Sequence, residues 1–417
     1  MKIYDTAIIG GGPAGLFCAG LLGKNGKQVV LIEKNKKVGR KLLITGKGRC
    51  NITNMSDKNE LISSLTKNAK FMYSAFSKFD AYDTIDFFET NGVPIKVERG
   101  NRVFPVSDRA VDVVDCLYNF AKNNNVEIIN ASATDFEKVN EKIISVCLAN
   151  GEKISAKTVV IATGGMSYPK TGSTGDGYKL AKSVGHNIIK PVGSLVPMNV
   201  LEGSASAMQG LSLKNVAITV ENTLNGKIVY TDFGEMLFTH FGLSGPMILS
   251  ASAHIREAQK NQYKVHIDLK PALSAEKLDA RILRDFSENS NKNLSNSLSK
   301  LLPLKMIPVI INLSKIKADT KVNQITKSQR EALINIIKDL TFTVTSLRPV
   351  EEAIVTSGGV DVSEIEPKTL NSKKCENLYF AGEVIDVDAY TGGFNLQIAF
   401  STAFSAANAI INKLGEN

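Results

Sequence analysis

Gly10, Gly12 and Gly15 stand directly after the apolar run TAII, and an acidic residue, Glu33, follows 18 positions beyond the last of them. A Gly-x-Gly-x-x-Gly set holds the pyrophosphate of a dinucleotide when it closes a strand and opens a helix. The first glycine permits the tight turn, the second lets the backbone approach the phosphates, and the third lets helix and strand pack closely. Pro13 suits the first helical position, where its missing N–H costs nothing, and with Ala14 it begins a turn whose free N–H groups and dipole favour an anion. Glu33 is placed to accept hydrogen bonds from ribose hydroxyls, and its charge disfavours a 2′-phosphate there.

The flanking elements must supply the context that a lone motif lacks. Ile3–Ile9 reads as a buried parallel strand, the apolar positions from Leu16 to Leu22 as a helix stopped at Asn25-Gly26, and Gln28–Ile32 as a second buried strand. The next stretch, KNKKVGRKLLITGKGRCNITN (Lys34–Asn54), is rich in glycine and basic residues. It offers Lys34, Lys41, Thr45, Gly48, Arg49, Cys50 and Asn51 to a second half of the cofactor, with Lys41 and Arg49 as its cations. Val126–Ile129 is a third strand candidate. Two alternating runs follow, Ser132–Val139 (with Thr134) and Lys142–Leu148, and then the hairpin turn Asn150-Gly151. The strand Lys157–Ala162 leads into Thr163-Gly164-Gly165. Near the end of the chain the strand Asn377–Ala381 runs into Gly382, Glu383 and Asp386. Gly392-Gly393 then opens a long helix whose first turn holds Asn395, Leu396 and Gln397. This order predicts an α/β chain with a Rossmann-like FAD-binding domain of the glutathione-reductase type, the last helix aiming its N-terminus at the flavin pyrimidine ring.

The segments GRKLLITGKGRCNITN, NRVFPVSDRA, ATGGMSYPKTGSTGDGY, FTHFGLSGP, TSGGVDVSEI and YFAGEVIDVDAYTGGFNLQIAFSTA together resemble the BaiN/YhiN family of bacterial FAD-dependent oxidoreductases, also described as aminoacetone oxidase-like. The resemblance spans nearly the whole chain. It implies an FAD enzyme acting on a small molecule, either reducing a conjugated enone of steroid or bile-acid type or oxidising a small amine with O₂; the absence of Trp, and with it of an aromatic amine cage, favours the reductase. Lys47 departs from the family's third glycine, and Ala403 and Ala407 replace small glycines of the last helix.

The cofactor domain is expected to be discontinuous, 1–190 with 346–417. A mostly-β insertion (191–273) resembling a barrel unit carries the hairpin Asn225-Gly226, and a helical subdomain (274–345) carries helices at Ser274–Ser287 and Thr326–Leu340, the latter opening on a Thr326/Gln329 capping box. No second Gly-x-Gly-x-x-Gly with its own βαβ context is present, so NAD(P)H, as electron donor, would dock transiently. His240, Tyr168 and Tyr390 are the acid–base candidates, and no His or Cys spacing suggests a metal. His186, His254 and His266 read as structural or exposed, and Cys50, without a partner cysteine, as small-residue packing more than a thiol acting on flavin.

The chain has 417 residues, 50 Lys+Arg against 41 Asp+Glu, and five scattered cysteines without a CxxC pair. The odd cysteine count suits a reducing, cytoplasmic compartment. The net charge of +9 comes without a block of five basic residues, which reads as a solvated basic surface more than a nucleic-acid site. A tRNA-binding flavoprotein is the alternative of a different class. Asp5 and the Gly-Gly-Gly-Pro break argue against a signal peptide at Thr6–Gly23, and no other uncharged apolar stretch is expected to reach membrane-spanning length. The partner expected is a small-molecule substrate; oligomeric state has no sequence signal.

Overall fold

The computed structural model describes residues 2–255 and 259–415. The chain forms two compact units, Met1–Ser194 with Pro349–Asn417, and Leu195–Arg348.

The first unit is built on a seven-stranded sheet. Strand β1 (Ile3–Ile9) runs through Gly10–Gly12 into helix α1 (Pro13–Lys24), which returns to strand β2 (Val29–Glu33). β1 and β2 pair in parallel, and Glu127–Asn130 adds in parallel beyond β2. On the other side β1 pairs in parallel with Lys153–Ile161, which also carries Leu378–Phe380. The antiparallel strands Ala133–Val139 and Lys142–Leu148 complete the sheet. The central strands are buried along their length, as strands covered on both faces must be. Lys153–Ile161 begins four residues before the expected strand because its polar first half pairs with both β1 and the meander.

The C-terminal helix Phe394–Gly415 packs against α1. Phe17 of α1 meets the rings of Phe79, Phe87 and Phe400 at 4.8–5.6 Å. This helix is long and apolar enough to cross a membrane by length and composition, which corrects the expectation that no stretch reaches that length. Its apolar face has a different use: Ile398, Phe400, Ala403, Ala406, Ala407 and Ile410 lie in the core of the unit. The helix starts at Phe394, directly after Gly392-Gly393.

The second unit is a closed six-stranded barrel in the order Met198–Val200, Gly242–Ser244, Lys227–Phe238, Ser212–Asn222, Tyr263–Asp268, Leu340–Leu347. The last strand pairs with the first and closes the cylinder, leaving no free edge. Ile218, Val220, Val265, Ile267, Phe342 and Val344 alternate along their strands and fill one core, which is shared with the helices Ala275–Ser287, Ile307–Ser314 and Lys327–Lys338. The capping box is present: the Thr326 hydroxyl accepts from the Gln329 N–H while the Gln329 side chain accepts from the Thr326 N–H.

Candidate cofactor-binding site

Register decides where the motifs meet. Ile9 lies opposite both Ile32 and Ile161, and Ile161 opposite Phe380. The four parallel strands therefore end at one level. Gly10, Glu33, Ala162-Thr163 and Ala381-Gly382 follow at the carboxyl edge of the sheet, where open α/β sheets bind ligands. Gly10 takes φ +108°, and a Cβ on it would lie 2.5 Å from the Ala162 carbonyl oxygen; one on Gly15 would lie 1.9 Å from the Gly10 carbonyl oxygen. Both glycines are required by packing. Gly12 is different. Its φ of −82° suits any residue, and a Cβ there would meet nothing within 4 Å.

The Glu33 carboxylate accepts the Gly11 N–H through Oε2 at 2.7 Å, and the Asn35 backbone and side-chain N–H groups through Oε1 at 2.7 Å. It is buried and ties the glycine turn to the loop after β2. Thr134 sits close in sequence to Ala131, whose N–H reaches the Glu33 carbonyl; its own hydroxyl donates to the Cys147 carbonyl and is exposed. Thr163 is half-buried, its hydroxyl against Gly177, and Gly164 turns with φ +72°.

Each cation expected beside the cofactor is paired with a carboxylate. Lys34 bonds Asp176 and Thr174. Lys41 bonds Glu383 at 2.7 Å and the Ser167 hydroxyl, and Glu383 also accepts the Thr356 N–H at 2.8 Å. Arg49 holds Glu98 and Asp108 and lies over the Phe104 ring. Asp386 is met by Lys67 and by the Asn68 side chain. Sequence reading missed Lys67, Asn68 and Thr356 as partners of these carboxylates, because nothing local marks them; Ser167 follows the ATGG strand and reads from the sequence as a cleft-lining candidate. Lys47 is exposed in a left-handed conformation (φ +60°) between Gly46 and Gly48, a position that suits glycine. Thr45 turns its hydroxyl back to the Leu42 carbonyl.

The loop ending at Asn54 is bound to the start of the C-terminal helix. A Cβ on Gly393 (φ +103°) would lie 2.2 Å from the Thr53 carbonyl oxygen. The Asn54 amide donates to the Gly392 carbonyl at 3.0 Å. Asn395 accepts the Ala389 N–H and donates to the Ala389 and Tyr390 carbonyls, so it shapes the turn before the helix. The Gln397 side chain is fully buried among Thr53, Thr84, Ser401 and the Phe79 carbonyl. Leu396 packs on the core.

Tyr168 holds φ +52°; burial, then the Glu352 charge, raise its pKa above the usual phenol value, so it keeps its proton at neutral pH. Tyr390 is half-buried with its N–H on the Ser64 carbonyl. His240 belongs to the second unit, where it is exposed with its ring 4.9 Å from Phe241. Burial pushes the Cys50 thiol up to about 12, which leaves no thiolate for chemistry on a flavin at neutral pH. His186 is buried between Ser372 and Glu364, and His266 bonds Glu221 and Asp339.

Among the described residues, the Tyr178 hydroxyl and Asn51 Oδ1 are buried without a hydrogen-bond partner. Burial and the nearby Glu383 and Asp386 charges raise the Tyr178 pKa, so it remains a donor. An open cradle at Gly12 at a helix N-terminus, with unsatisfied polar atoms in the surrounding segments, fits a polar dinucleotide.

Residues 4–409 match the HI0933-like protein Rossmann domain family. The chain belongs to this family. Its first unit is a Rossmann-like FAD-binding domain, and the chain is an FAD-dependent oxidoreductase, as the BaiN/YhiN resemblance implies. It is 33% identical over 411 residues to ribosomal RNA dihydrouridine synthase of Escherichia coli (strain K12), covering 99% of each chain. It is 30% identical over 406 residues to 3-dehydro-bile acid delta(4,6)-reductase of Clostridium scindens, covering 96% of this chain and 98% of that one. The fold of 3-ketosteroid-delta4-(5alpha)-dehydrogenase from Rhodococcus jostii RHA1 is similar, with TM-score 0.54 at 13% identity over 98% of this chain and 97% of that one.

Proposed function

We propose that this HI0933-like chain reduces a carbon–carbon double bond conjugated to a carbonyl. The observation that carries this reading is the bond type shared by two relatives of nearly equal similarity and near-complete coverage. Dihydrouridine arises by saturating the uracil double bond conjugated to a ring carbonyl; a delta(4,6)-reductase saturates ring double bonds conjugated to a 3-oxo group. Both need hydride at the carbon remote from the carbonyl, a proton at the adjacent carbon, and stabilisation of the intervening enolate charge. FAD, when bound, supplies the hydride.

The chain's own residues take the remaining roles. The N–H groups at Gly12, Ala14 and Gly15 would hold the pyrophosphate, with Glu33 on the ribose and Thr163-Gly164, Glu383 and Asp386 along the connecting chain. Since Lys34, Lys41 and Arg49 are already paired with carboxylates, the anion rests on backbone N–H groups and the helix dipole. The N-terminus of Phe394–Gly415 stabilises negative charge on the flavin ring. Tyr168 and Tyr390 are the proton donors of the first unit, and His240 that of the second. NAD(P)H is the transient donor, and the five free thiols support a reducing, cytoplasmic setting.

The test is anaerobic mixing of the yellow protein with NADH or NADPH, followed by a 3-oxo-4,6-diene bile acid or by ribosomal RNA lacking dihydrouridine. Bleaching by the nicotinamide, reoxidation by one of these acceptors and a product carrying two added hydrogens are expected. Bleaching by small amines alone, with turnover dependent on O₂, would assign the amine oxidase instead. Between the two acceptors, the higher identity to the RNA-modifying relative and the net charge of +9 favour uridine in RNA.

A further inference from the structure

The positive charge is not distributed as the linear sequence suggests. Residues 292–327 contain seven lysines and a single acidic residue, Asp319, a net +6 out of the chain's +9. All seven lysines are exposed. They are several residues apart in sequence, but the fold gathers them. Residues 292–295 run antiparallel to 318–322: the Leu294 N–H donates to the Thr320 carbonyl at 2.9 Å, the Ser295 N–H to the Ala318 carbonyl at 3.2 Å, and the Val322 N–H to the Lys292 carbonyl at 3.1 Å. Asn293 lies opposite Lys321. Lys292 is therefore opposite Val322, one position along from Lys321, and the two lysines are diagonal neighbours on adjoining segments, with Lys317 and Lys315 earlier on the second.

Three of the seven are engaged locally. Lys300 pairs with Glu288 at 3.0 Å, Lys327 approaches Glu331 at 3.9 Å, and Lys305 bonds the Gln209 carbonyl. Lys292, Lys315, Lys317 and Lys321 have no carboxylate partner among the described residues. Such a concentration repels itself and costs stability unless an anion is gathered there. The neutral residues around it are polar: Asn291, Asn296, Asn312 and Asn323 are all exposed. No aromatic residue occurs between Phe286 and Phe342.

We propose that this lysine face of the second unit (Lys292, Lys315, Lys317 and Lys321) is an RNA-backbone contact surface. It rests on the RNA reading of the substrate given above. Point charges with amide and hydroxyl groups between them match phosphates and 2′-hydroxyls. The missing aromatics remove both base stacking and the interfacial anchors a membrane helix uses. The face therefore supplies affinity and orientation without sequence preference. The choice of uridine lies elsewhere.

The experiment compares the FAD-loaded wild type with the quadruple variant Lys292→Gln, Lys315→Gln, Lys317→Gln, Lys321→Gln, and with the Lys→Arg set at the same positions. Deproteinised ribosomal RNA is the probe, titrated from low to moderate salt. Four phosphate contacts give a log–log salt slope of about 3 to 3.5, on the order of 10²-fold in affinity between 50 and 200 mM salt. The Gln variant is expected to lose about that slope and the Arg set to keep it. Flavin content and reduction of a small free enone should match wild type in both. An unchanged slope in the Gln variant overturns the surface assignment while leaving the RNA substrate intact. Absence of salt-dependent RNA binding by the wild type overturns the RNA reading itself. Loss of binding to phosphatidylglycerol vesicles in the Gln variant, with RNA affinity unchanged, overturns the proposal in favour of a lipid surface.

Discussion

Within one motif, three glycines do two kinds of work. Gly10 and Gly15 exist for the protein, because a side chain at either would drive into backbone. Gly12 has an ordinary φ and open space beyond its Cα, so the fold does not require a glycine there; we propose that its bareness serves the pyrophosphate. Opposite outcomes follow. Gly12→Asp places a preferred residue at the N-cap of α1 and should leave stability within about 1 kcal/mol of wild type. It should also abolish flavin retention through charge and bulk at the pyrophosphate, read as loss of the yellow absorbance with an unchanged melting transition. Gly15→Ala should instead destabilise the fold by about 1–3 kcal/mol or more through overpacking, visible in denaturant titration. Retention of full flavin by Gly12→Asp would place the pyrophosphate elsewhere. The motif, with the turn and packing roles of Gly10 and Gly15, was legible in the sequence. The pairing of Lys34, Lys41 and Arg49 was not, because their carboxylate partners Asp176, Glu383, Glu98 and Asp108 lie 49 to 342 positions away.

Elements in this chain are chosen by burial as much as by local pattern. The helix Phe394–Gly415 carries membrane-like apolarity because it crosses the core of the first unit, and Gln397 fixes its start through Thr53 and Thr84. His186 plays a comparable part where the helix Asp176–Ser183 gives way to the strand Ile188–Ser194. Its ring meets Phe380 edge-on at 4.9 Å, and Ser372, Glu364 and Lys374 surround it. Burial holds its pKa below the usual 6.5, against the pull of Glu364. A histidine with a depressed folded pKa binds its proton more readily when unfolded. Its contribution is whole above about pH 6.5 and declines as the pH falls from there toward the folded value. Unfolding free energy should therefore drop between pH 7.5 and 5.5 in the wild type, and drop less in His186→Gln. Equal pH dependence in the two proteins would remove His186 from this account. The histidine's structural character was readable; its partners, from residues 364–380, were not.

At the scale of the whole molecule, two separate hydrophobic cores stand in one chain. Phe342 is fully buried in the second, 5.7 Å from the Phe238 ring. Phe342→Ala should cost about 3–5 kcal/mol, lowering the unfolding transition of the barrel unit in calorimetry while bound flavin keeps its spectrum until the first unit melts. Simultaneous loss of flavin at the lowered transition would show that the two cores unfold as one. The sequence by itself determined the βαβ cradle, the meander, the FAD class and the motif at each end of the cofactor unit. These depend on spacing over a few residues, on strand and helix periodicity, and on turn chemistry, all local properties. Only the tertiary structure decided that six strands close into a barrel sharing its core with helices, that the C-terminal helix is an interior element, and that the segments carrying separated lysines lie against each other. Each of those depends on which distant segments pair. A strand register or an antiparallel contact such as 292–295 with 318–322 is a property of two segments together, and neither segment carries it alone.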